Sequence, residues 1–258
     1  MTKQTPAEGR SRVTDVGALL RLAREFNEAQ RGPIPFTKDA DADALLNDLK
    51  GHPHAFVLAC LMDRQVKAET AWLVPHRVRE RLGGGFGMGE LARLSRERLF
   101  ELMTQPNPIH WLKRPMASVF HAAVERIARE YAGDASRIWS GSPPSATIVR
   151  RFLGFEGAGP KIATMAANIL VNQLGVPVSD RYSIDISADR HVRRVFAFLG
   201  FVPKKAHETV VVYRARELSP EYPWIFDLLL WETGRTTCRK GDPQCHQCRL
   251  RTICPSTT

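Results

Sequence analysis

Four of the chain's five cysteines lie in one short stretch near the C-terminus, and this stretch constrains the fold more than any other feature. Cys238 is followed by six residues and Cys245, by two more and Cys248, and by five more and Cys254. Four thiolates gathered so closely suit a tetrahedral zinc ion or a [4Fe–4S] cluster. Zinc motifs usually pair their ligands in two short units, whereas here only Cys245 and Cys248 form such a pair. The wider spacing of the others favours the bulkier iron–sulfur cluster.

The composition narrows the class of protein and its compartment. The formal net charge of +10 suggests a polyanionic partner such as nucleic acid, although many basic proteins have no such partner. No run of about 18 apolar residues is present, and the polar N-terminus has no signal core. We therefore expect a cytoplasmic protein, associated with the bacterial nucleoid and not with a membrane. In that reducing compartment, clustered cysteines favour a metal or redox centre over disulfides.

Helical periodicity runs through the chain, and no segment shows the sustained alternation typical of a strand. The sequence therefore predicts an all-α protein with a flexible tail at residues 1–13. The predicted helices cover residues 13–30, 43–49, 54–72, 89–104, 115–133, 145–153, 160–174, 189–199, 205–217 and 222–233.

A glycine-rich loop, 83–89, separates two of these helices. It is not a Walker phosphate loop, because no Gly-Lys-Ser/Thr ends it and no apolar strand precedes it. A flexible connection is the simpler interpretation. Phe86 and Met88, which we expect to be exposed, leave room for a ligand contact.

A helix, a glycine turn and a second helix form a candidate helical hairpin at residues 145–174. Gly154, Gly157 and Gly159 can supply positive φ angles, and Pro160 suits the first position of the second helix. Such a turn points free backbone N–H groups outward, and these groups can bind a phosphate without reading sequence. An ordinary helical hairpin without a ligand is the alternative.

Lys161 lies one residue into the second helix of this hairpin. Positive charge at a helix N-terminus disfavours an ammonium group, and a neutral amine is a nucleophile that can form a Schiff base. A phosphate contact is the simpler role for a lysine in this place.

Three motifs, in the same order and with similar spacing, resemble the helix-hairpin-helix superfamily of DNA base-excision glycosylases in its endonuclease III-like iron–sulfur branch. The hairpin segment "FEGAGPK" at 155–161 matches the family's hairpin, with Phe155 and Glu156 replacing a leucine and a proline. The segment "ADRHVRRV" at 188–195 is similar to the one that carries the family's catalytic aspartate, which places that residue at Asp189. The segment "GRTTC" and the four cysteines reproduce the family's C-terminal motif.

The chain departs from the family's pattern between the hairpin and the catalytic aspartate. The gap is longer than usual and contains a second acid, Asp185, while Arg190 replaces the usual threonine. Asp189 is favoured because the His-Val-x-Arg-Val register follows it, and Asp185 remains a rival.

The resemblance implies a two-lobed all-α fold. A six-helix barrel domain would span residues 45–176 and include the hairpin. An iron–sulfur cluster domain would join residues 14–44 to 177–258, with the [4Fe–4S] cluster held by Cys238, Cys245, Cys248 and Cys254. Lys161 and Asp189 would face each other across the cleft between the two lobes.

The resemblance also implies a function. The protein would be a monomeric DNA glycosylase that flips a damaged or mispaired base out of double-stranded DNA, with Lys161 and Asp189 as its catalytic residues. Lys161 would form a Schiff base and so add an AP-lyase activity. The DNA-binding residues would be Gly157, Gly159, Gln65, Arg239, Lys240, Arg249 and Arg251, with Gln65 filling the gap left by the extruded base.

Three alternatives stay open from the sequence. The first is a monofunctional glycosylase that acts on uracil, a mismatched base or an alkylated base. The second is a non-catalytic iron–sulfur protein that binds DNA, against which the combination of Lys161 and Asp189 argues. The third is a redox regulator, which would more naturally have an incomplete ligand set.

Overall fold

The protein is all-α, as predicted. The structure is a computed structural model that describes residues 15–257, and within these residues it contains twelve α-helices and no strand. The predicted tail at 1–13 lies outside the described residues. The helices are α1 (Val16–Ala29), α2 (Ala40–Asn47), α3 (Pro53–Met62), α4 (Ala68–Arg81), α5 (Met88–Leu91), α6 (Arg96–Thr104), α7 (Lys113–Glu130), α8 (Ser145–Leu153), α9 (Pro160–Asn168), α10 (Arg190–Phe198), α11 (Glu208–Leu218) and α12 (Asp227–Thr236).

The chain divides into two compact units. The hairpin unit comprises Gln30–Ile184, and the cysteine unit comprises residues 15–29 and 185–257. Residues 30–44 and 177–184 therefore group with the hairpin, although the sequence assigned them to the cluster domain. The ring of Phe36 stacks on that of Trp72 with 4.5 Å between centroids, and Ser183 donates its backbone N–H to the hydroxyl of Ser145 at 3.1 Å. These contacts tie both segments to the helices of the hairpin unit.

Helix α3 is the centre of the hairpin unit. All ten of its residues are buried, and they are apolar on every side of the helix. A helix of this kind must be surrounded by other elements. Helices α2, α4, α7 and α9 pack against it.

The single helix predicted over 54–72 is wrong, because the chain breaks between α3 and α4. The helix ends at Met62, where the apolar run gives way to Asp63 and Arg64. Gln65 then adopts the left-handed conformation with φ +55°. Periodicity could not reveal this break, since the residues after Met62 are compatible with a helix individually.

The glycine-rich loop 83–89 is anchored by Phe86, which is buried and not exposed as expected. The ring of Phe86 stacks on that of His54, and its carbonyl oxygen lies 2.6 Å from His54 Nε2. Burial lowers the pKa of His54, with the contact to this carbonyl opposing the shift. The neutral imidazole can therefore donate its Nε2–H to Phe86.

The cysteine unit encloses its own core, built from α1, α10, α11 and α12. Its fully buried members include Leu19, Val192, Phe196, Phe226 and Leu230. Three of the clustered cysteines pack against this core: Cys238, Cys248 and Cys254. Among the described residues, no helix is both long and apolar enough to cross a membrane.

Candidate functional site

The glycine turn of the hairpin uses a positive φ angle at Gly157 only, whereas Gly154 has φ −75° and does not need one. Gly157 has φ +84°, which favours glycine, and a Cβ atom there would lie 3.2 Å and 3.3 Å from the two γ-carbons of Val119. Gly159 caps α9 with φ −93°, and a Cβ on it would meet nothing within 4 Å. Pro160 occupies the first position of α9. Glycine at 157 therefore avoids both backbone strain and a close contact, whereas Gly159 borders open space beside the positive end of the helix.

Lys161 is exposed at the start of α9 and lies beside a carboxylate that the sequence analysis missed. Its side chain is 56% exposed, and its Nζ lies 3.9 Å from Oδ2 of Asp63. The side chain of Asp63 is only 14% exposed. The ion pair holds the lysine ammonium close to the end of α3 while leaving it accessible to a ligand.

The break after α3 brings two consecutive residues to the hairpin and the next one to Trp111. Asp63 contacts Lys161, and Arg64 lies next to the turn, since a Cβ on Gly157 would be 3.5 Å from one of its guanidinium nitrogens. The backbone carbonyl of Gln65 accepts a hydrogen bond of 3.0 Å from the indole N–H of Trp111. The charges could have been noticed in the sequence, but a continuous helix would have directed them to different sides.

Trp111 is another residue that the sequence analysis missed. It is 59% exposed, which is unusual for a tryptophan, and its hydrogen bond to Gln65 fixes one edge of the ring. The left-handed backbone of Gln65 is a local strain of the kind that often marks a functional site. The two exposed side chains offer an aromatic face and an amide on the same part of the surface.

His110, the residue before Trp111, is buried next to the break between α3 and α4. It is 1% exposed, and its Nδ1 accepts the backbone N–H of Leu112 at 3.1 Å. Burial lowers its pKa, with the backbone of Met62 and Arg64 opposing the shift. A neutral imidazole thus lies against the backbone on both sides of Asp63.

In the cysteine unit, the two candidate catalytic aspartates, Asp185 and Asp189, have different hydrogen-bond partners. Asp185 forms a two-pronged ion pair with Arg216, with both nitrogen–oxygen distances at 2.7 Å, and its side chain is 19% exposed. The hydrogen bond from Asp185 raises the pKa of Arg216. Both carboxylate oxygens of Asp185 are therefore occupied by a structural contact.

Asp189 caps the N-terminus of α10 with one oxygen only. Its Oδ1 accepts the backbone N–H groups of His191 at 2.7 Å and Val192 at 2.8 Å. Within the described part of the chain, its Oδ2 has no hydrogen-bond partner. The positive end of α10 favours a carboxylate here. The cap fixes the side chain and leaves one oxygen available for a ligand.

The four clustered cysteines are brought together as free thiols. Burial raises the pKa of Cys238, the guanidinium of Arg194 opposes the shift, and the other three thiols add to it. Burial likewise raises the pKa of Cys254. Within the described residues no three of these sulfurs lie within 4.8 Å of one another, whereas sulfurs on one tetrahedral zinc ion would be about 3.8 Å apart.

The cysteine loop is held by contacts with α10 and α12. Arg194 donates from Nε to the carbonyl of Cys238 at 2.9 Å and from Nη2 to the carbonyl of Gly234 at 2.6 Å. A Cβ on Gly234 would be 2.9 Å from Cβ of His191 and 3.0 Å from its carbonyl oxygen. The glycine before Arg235 is therefore needed for close packing of α12 against α10.

The four basic residues predicted to bind DNA around the cysteines are all exposed: Arg239, Lys240, Arg249 and Arg251. The guanidinium of Arg249 lies 4.5 Å from the ring centroid of Phe26 and is oriented by this cation–π contact. Exposure makes all four available to a polyanion, and their role in DNA binding stays a prediction.

One group of described side chains has the spacing of a small metal site: Asp39, Asp41 and His76. Oδ1 of Asp39 already caps α2 by accepting the N–H groups of Asp41 and Ala42, and the bond from Ala42 is the main cause of its lowered pKa. This group is explained by helix capping.

No family model matches the chain. The chain is 32% identical to Endonuclease III-like protein 1 of Gallus gallus over 114 residues, which is 42% of this chain and 36% of that protein. The match thus spans about a third of the length of this relative. It supports the resemblance that the three motifs indicate.

Solved structures of DNA glycosylases share the fold. A thermostable thymine-DNA glycosylase is similar with a TM-score of 0.61 and 12% identity, over 94% of this chain and 96% of that one. Endonuclease III in a non-covalent complex with DNA is similar with a TM-score of 0.57 and 20% identity, over 84% of this chain and 94% of that one. The predicted helix-hairpin-helix glycosylase fold is therefore confirmed.

Proposed function

We propose that this protein, which has the fold of the helix-hairpin-helix DNA glycosylases, removes a damaged or mispaired base from duplex DNA and acts as an AP lyase through Lys161. The observation that carries the proposal is the position of Lys161. It is an exposed amine in the first turn of α9, directly after a glycine turn that can bind a phosphate.

Binding to DNA would begin at the hairpin. The free N–H groups near Gly157 and Gly159 and the guanidinium of Arg64 suit the phosphate of one strand. The net charge of +10 favours a polyanion, and the basic residues around the cysteines would extend the contact. We place the protein in the cytoplasm on nucleoid DNA and expect it to act as a monomer.

Flipping a nucleotide costs a few kcal/mol, which DNA contacts must offset. Trp111 can stack against the bases next to the gap, since its ring is exposed and fixed at one edge by Gln65. The side chain of Gln65 can then occupy the space of the extruded base. These two residues would stabilise the flipped state.

The chemistry requires an attack on C1′ of the flipped nucleotide. The amine of Lys161 forms a bond to C1′, and the bond from C1′ to the base breaks with its electron pair leaving on the base, which then takes up a proton. Positive charge develops on the sugar as this bond breaks, and the free Oδ2 of Asp189 can stabilise it. Opening of the sugar ring gives a Schiff base. Loss of a proton from C2′ then breaks the C3′–O bond and cuts the strand.

The four cysteines would hold a [4Fe–4S] cluster. The donor set of four free cysteines is complete, and their spacing of six, two and five residues suits a cluster better than the paired ligands of a zinc motif. The cluster, when bound, would supply a rigid cross-link and no bond-making step, because all four thiolates are consumed as ligands. Its effect would be to fix the loop that carries Arg239, Lys240, Arg249 and Arg251.

The test is incubation of the protein with duplexes that carry a panel of damaged and mispaired bases, with and without borohydride. We expect release of a base and a covalent complex, both lost in Lys161→Ala and retained in Lys50→Ala, a matched change at another exposed lysine of the hairpin unit. Base release without trapping would identify a monofunctional glycosylase. Binding to DNA without release from any lesion would overturn the proposal in favour of a non-catalytic DNA-binding protein.

A further inference from the structure

Asp63 occupies a place that is unfavourable for a carboxylate. It caps the C-terminus of α3, whose preceding residues are all buried, and its side chain is 14% exposed. The C-terminal end of a helix carries partial negative charge, which repels an acid, and burial adds a desolvation cost. A local conflict of this kind is expected at a functional site, where position matters more than stability.

The charge of Asp63 acts on the groups around it. Burial raises the pKa of Cys60 well above its usual value, and the negative charge of Asp63 raises it further. Burial also lowers the pKa of His110, whose ring lies against the backbone of Met62 and Arg64. Asp63 forms an ion pair with Lys161, with 3.9 Å between Oδ2 and Nζ. The carboxylate of Asp63 therefore faces the Lys161 amine and lies close enough to the buried Cys60 thiol to act on its pKa.

We propose that Asp63 is the counter-ion of Lys161: it positions Nζ and stabilises the positive charge that this nitrogen carries in the Schiff base. The inference rests on the proposed lyase activity. Asp63 is a positioning residue, since it acts on the substrate through Lys161.

The charge on Nζ changes along the reaction. The ammonium gives a proton to water, and the neutral amine forms the bond to C1′. The bond from C1′ to the base, or to the hydroxyl of a preformed abasic site, breaks with its electron pair leaving on that group, which takes up a proton. After the attacking nitrogen has lost a further proton to water, its lone pair forms the C1′=Nζ double bond while the C1′–O4′ bond breaks, and O4′ takes up a proton. This leaves a fixed positive charge on Nζ, in the ion-pair position opposite Asp63. A carboxylate at that distance stabilises the iminium and so favours its formation and its persistence.

The expected size of the effect follows from the exposure of the pair. Two charges about 4 Å apart interact strongly at an effective dielectric constant of about 20 and weakly in water. Lys161 is 56% exposed and Asp63 is 14% exposed, so the interaction lies between these limits. We expect loss of the carboxylate to lower the rate of Schiff-base formation about tenfold.

The experiment uses a duplex with a preformed abasic site, so that it does not depend on which base the protein removes. Single-turnover trapping with borohydride is measured for the full chain and for Asp63→Asn, Asp63→Glu and Glu101→Gln. The last is a matched control that removes an acid from an exposed ion pair of α6. Affinity for a duplex with a reduced abasic analogue, which cannot form a Schiff base, and the melting temperature are measured in parallel.

We expect Asp63→Asn to trap about tenfold more slowly, with unchanged affinity and melting temperature, and Asp63→Glu to restore most of the rate because it keeps the charge. Glu101→Gln should behave like the unaltered protein. Trapping by Asp63→Asn at the full rate would overturn the inference and leave the lyase intact. Equal losses in Asp63→Asn and Asp63→Glu, or a lower melting temperature of Asp63→Asn, would assign Asp63 to structure and also overturn it. Failure of the unaltered protein to trap would instead overturn the proposed lyase and the inference with it.

Discussion

The two glycines of the hairpin turn should respond differently to alanine, because one is required by the fold and the other borders open space. In Gly157→Ala the backbone would keep φ +84°, which costs an L-residue about 1–2 kcal/mol. The new methyl group would also lie 3.2 Å and 3.3 Å from the γ-carbons of Val119, and such crowding costs about 1 kcal/mol or more. The sum of about 2–3 kcal/mol predicts a fall in melting temperature of roughly 5–10 °C.

Gly159→Ala is the matched change. The φ of −93° suits alanine, and the methyl group would meet nothing within 4 Å, so the free energy of unfolding should change by less than about 0.5 kcal/mol. The same methyl group would enter the space where a phosphate approaches the N-terminus of α9. Affinity for duplex DNA should therefore fall about tenfold, or 1.4 kcal/mol.

Thermal melting by circular dichroism and binding of a labelled duplex at fixed salt would measure both effects. The reasoning predicts that stability is lost in Gly157→Ala alone and that Gly159→Ala loses affinity at full stability. A Gly159→Ala variant that binds DNA as tightly as the unaltered protein would refute the phosphate site at this turn. An unchanged melting temperature in Gly157→Ala would refute the packing argument.

Three further predictions concern the aspartates, the cysteines and the exposed tryptophan. Asp189→Asn keeps a good helix cap, so its melting temperature should be unchanged while base release falls by a factor of about 10² or more. Asp185→Asn should lose about 1–3 kcal/mol of stability and keep its activity per folded molecule. Melting curves and single-turnover base release would compare the two variants. Cys248→Ser should contain less bound iron and acid-labile sulfide than the unaltered protein and should bind DNA more weakly. An unchanged iron content would contradict the four-thiolate site. Trp111→Ala should reduce base release about tenfold or more without a large change in melting temperature, while Trp111→Phe keeps most activity; equal rates in all three proteins would exclude a stacking role.

Several features of the site could be predicted from the sequence because they depend on local rules. The hairpin required one glycine with a positive φ angle, Gly157, and a proline at the first helical position, and both are visible as residue types. The four cysteines were recognisable by their spacing alone. Lys161 could be identified because it follows the glycine turn directly in the sequence, and its position in the first turn of α9 keeps it beside that turn in space.

Other features depended on contacts between distant parts of the chain. The sequence offered no means to see that α3 would end at Met62, because the residues after it are individually acceptable in a helix. Phe86 could not be identified as buried, because its partner His54 lies 32 residues earlier.

The sequence by itself determined the all-α class, the hairpin with its lysine and the complete set of four thiols, since each follows from residue types at short and regular spacings. Only the tertiary structure decided which neighbours these groups have. In the folded chain Arg216 binds both carboxylate oxygens of Asp185, whereas one oxygen of Asp189 stays free. Folding also brings Asp63 next to Lys161, although nearly a hundred residues separate them in the sequence. The physical reason is that an ion pair depends on distance in space, and the packing around α3 sets that distance.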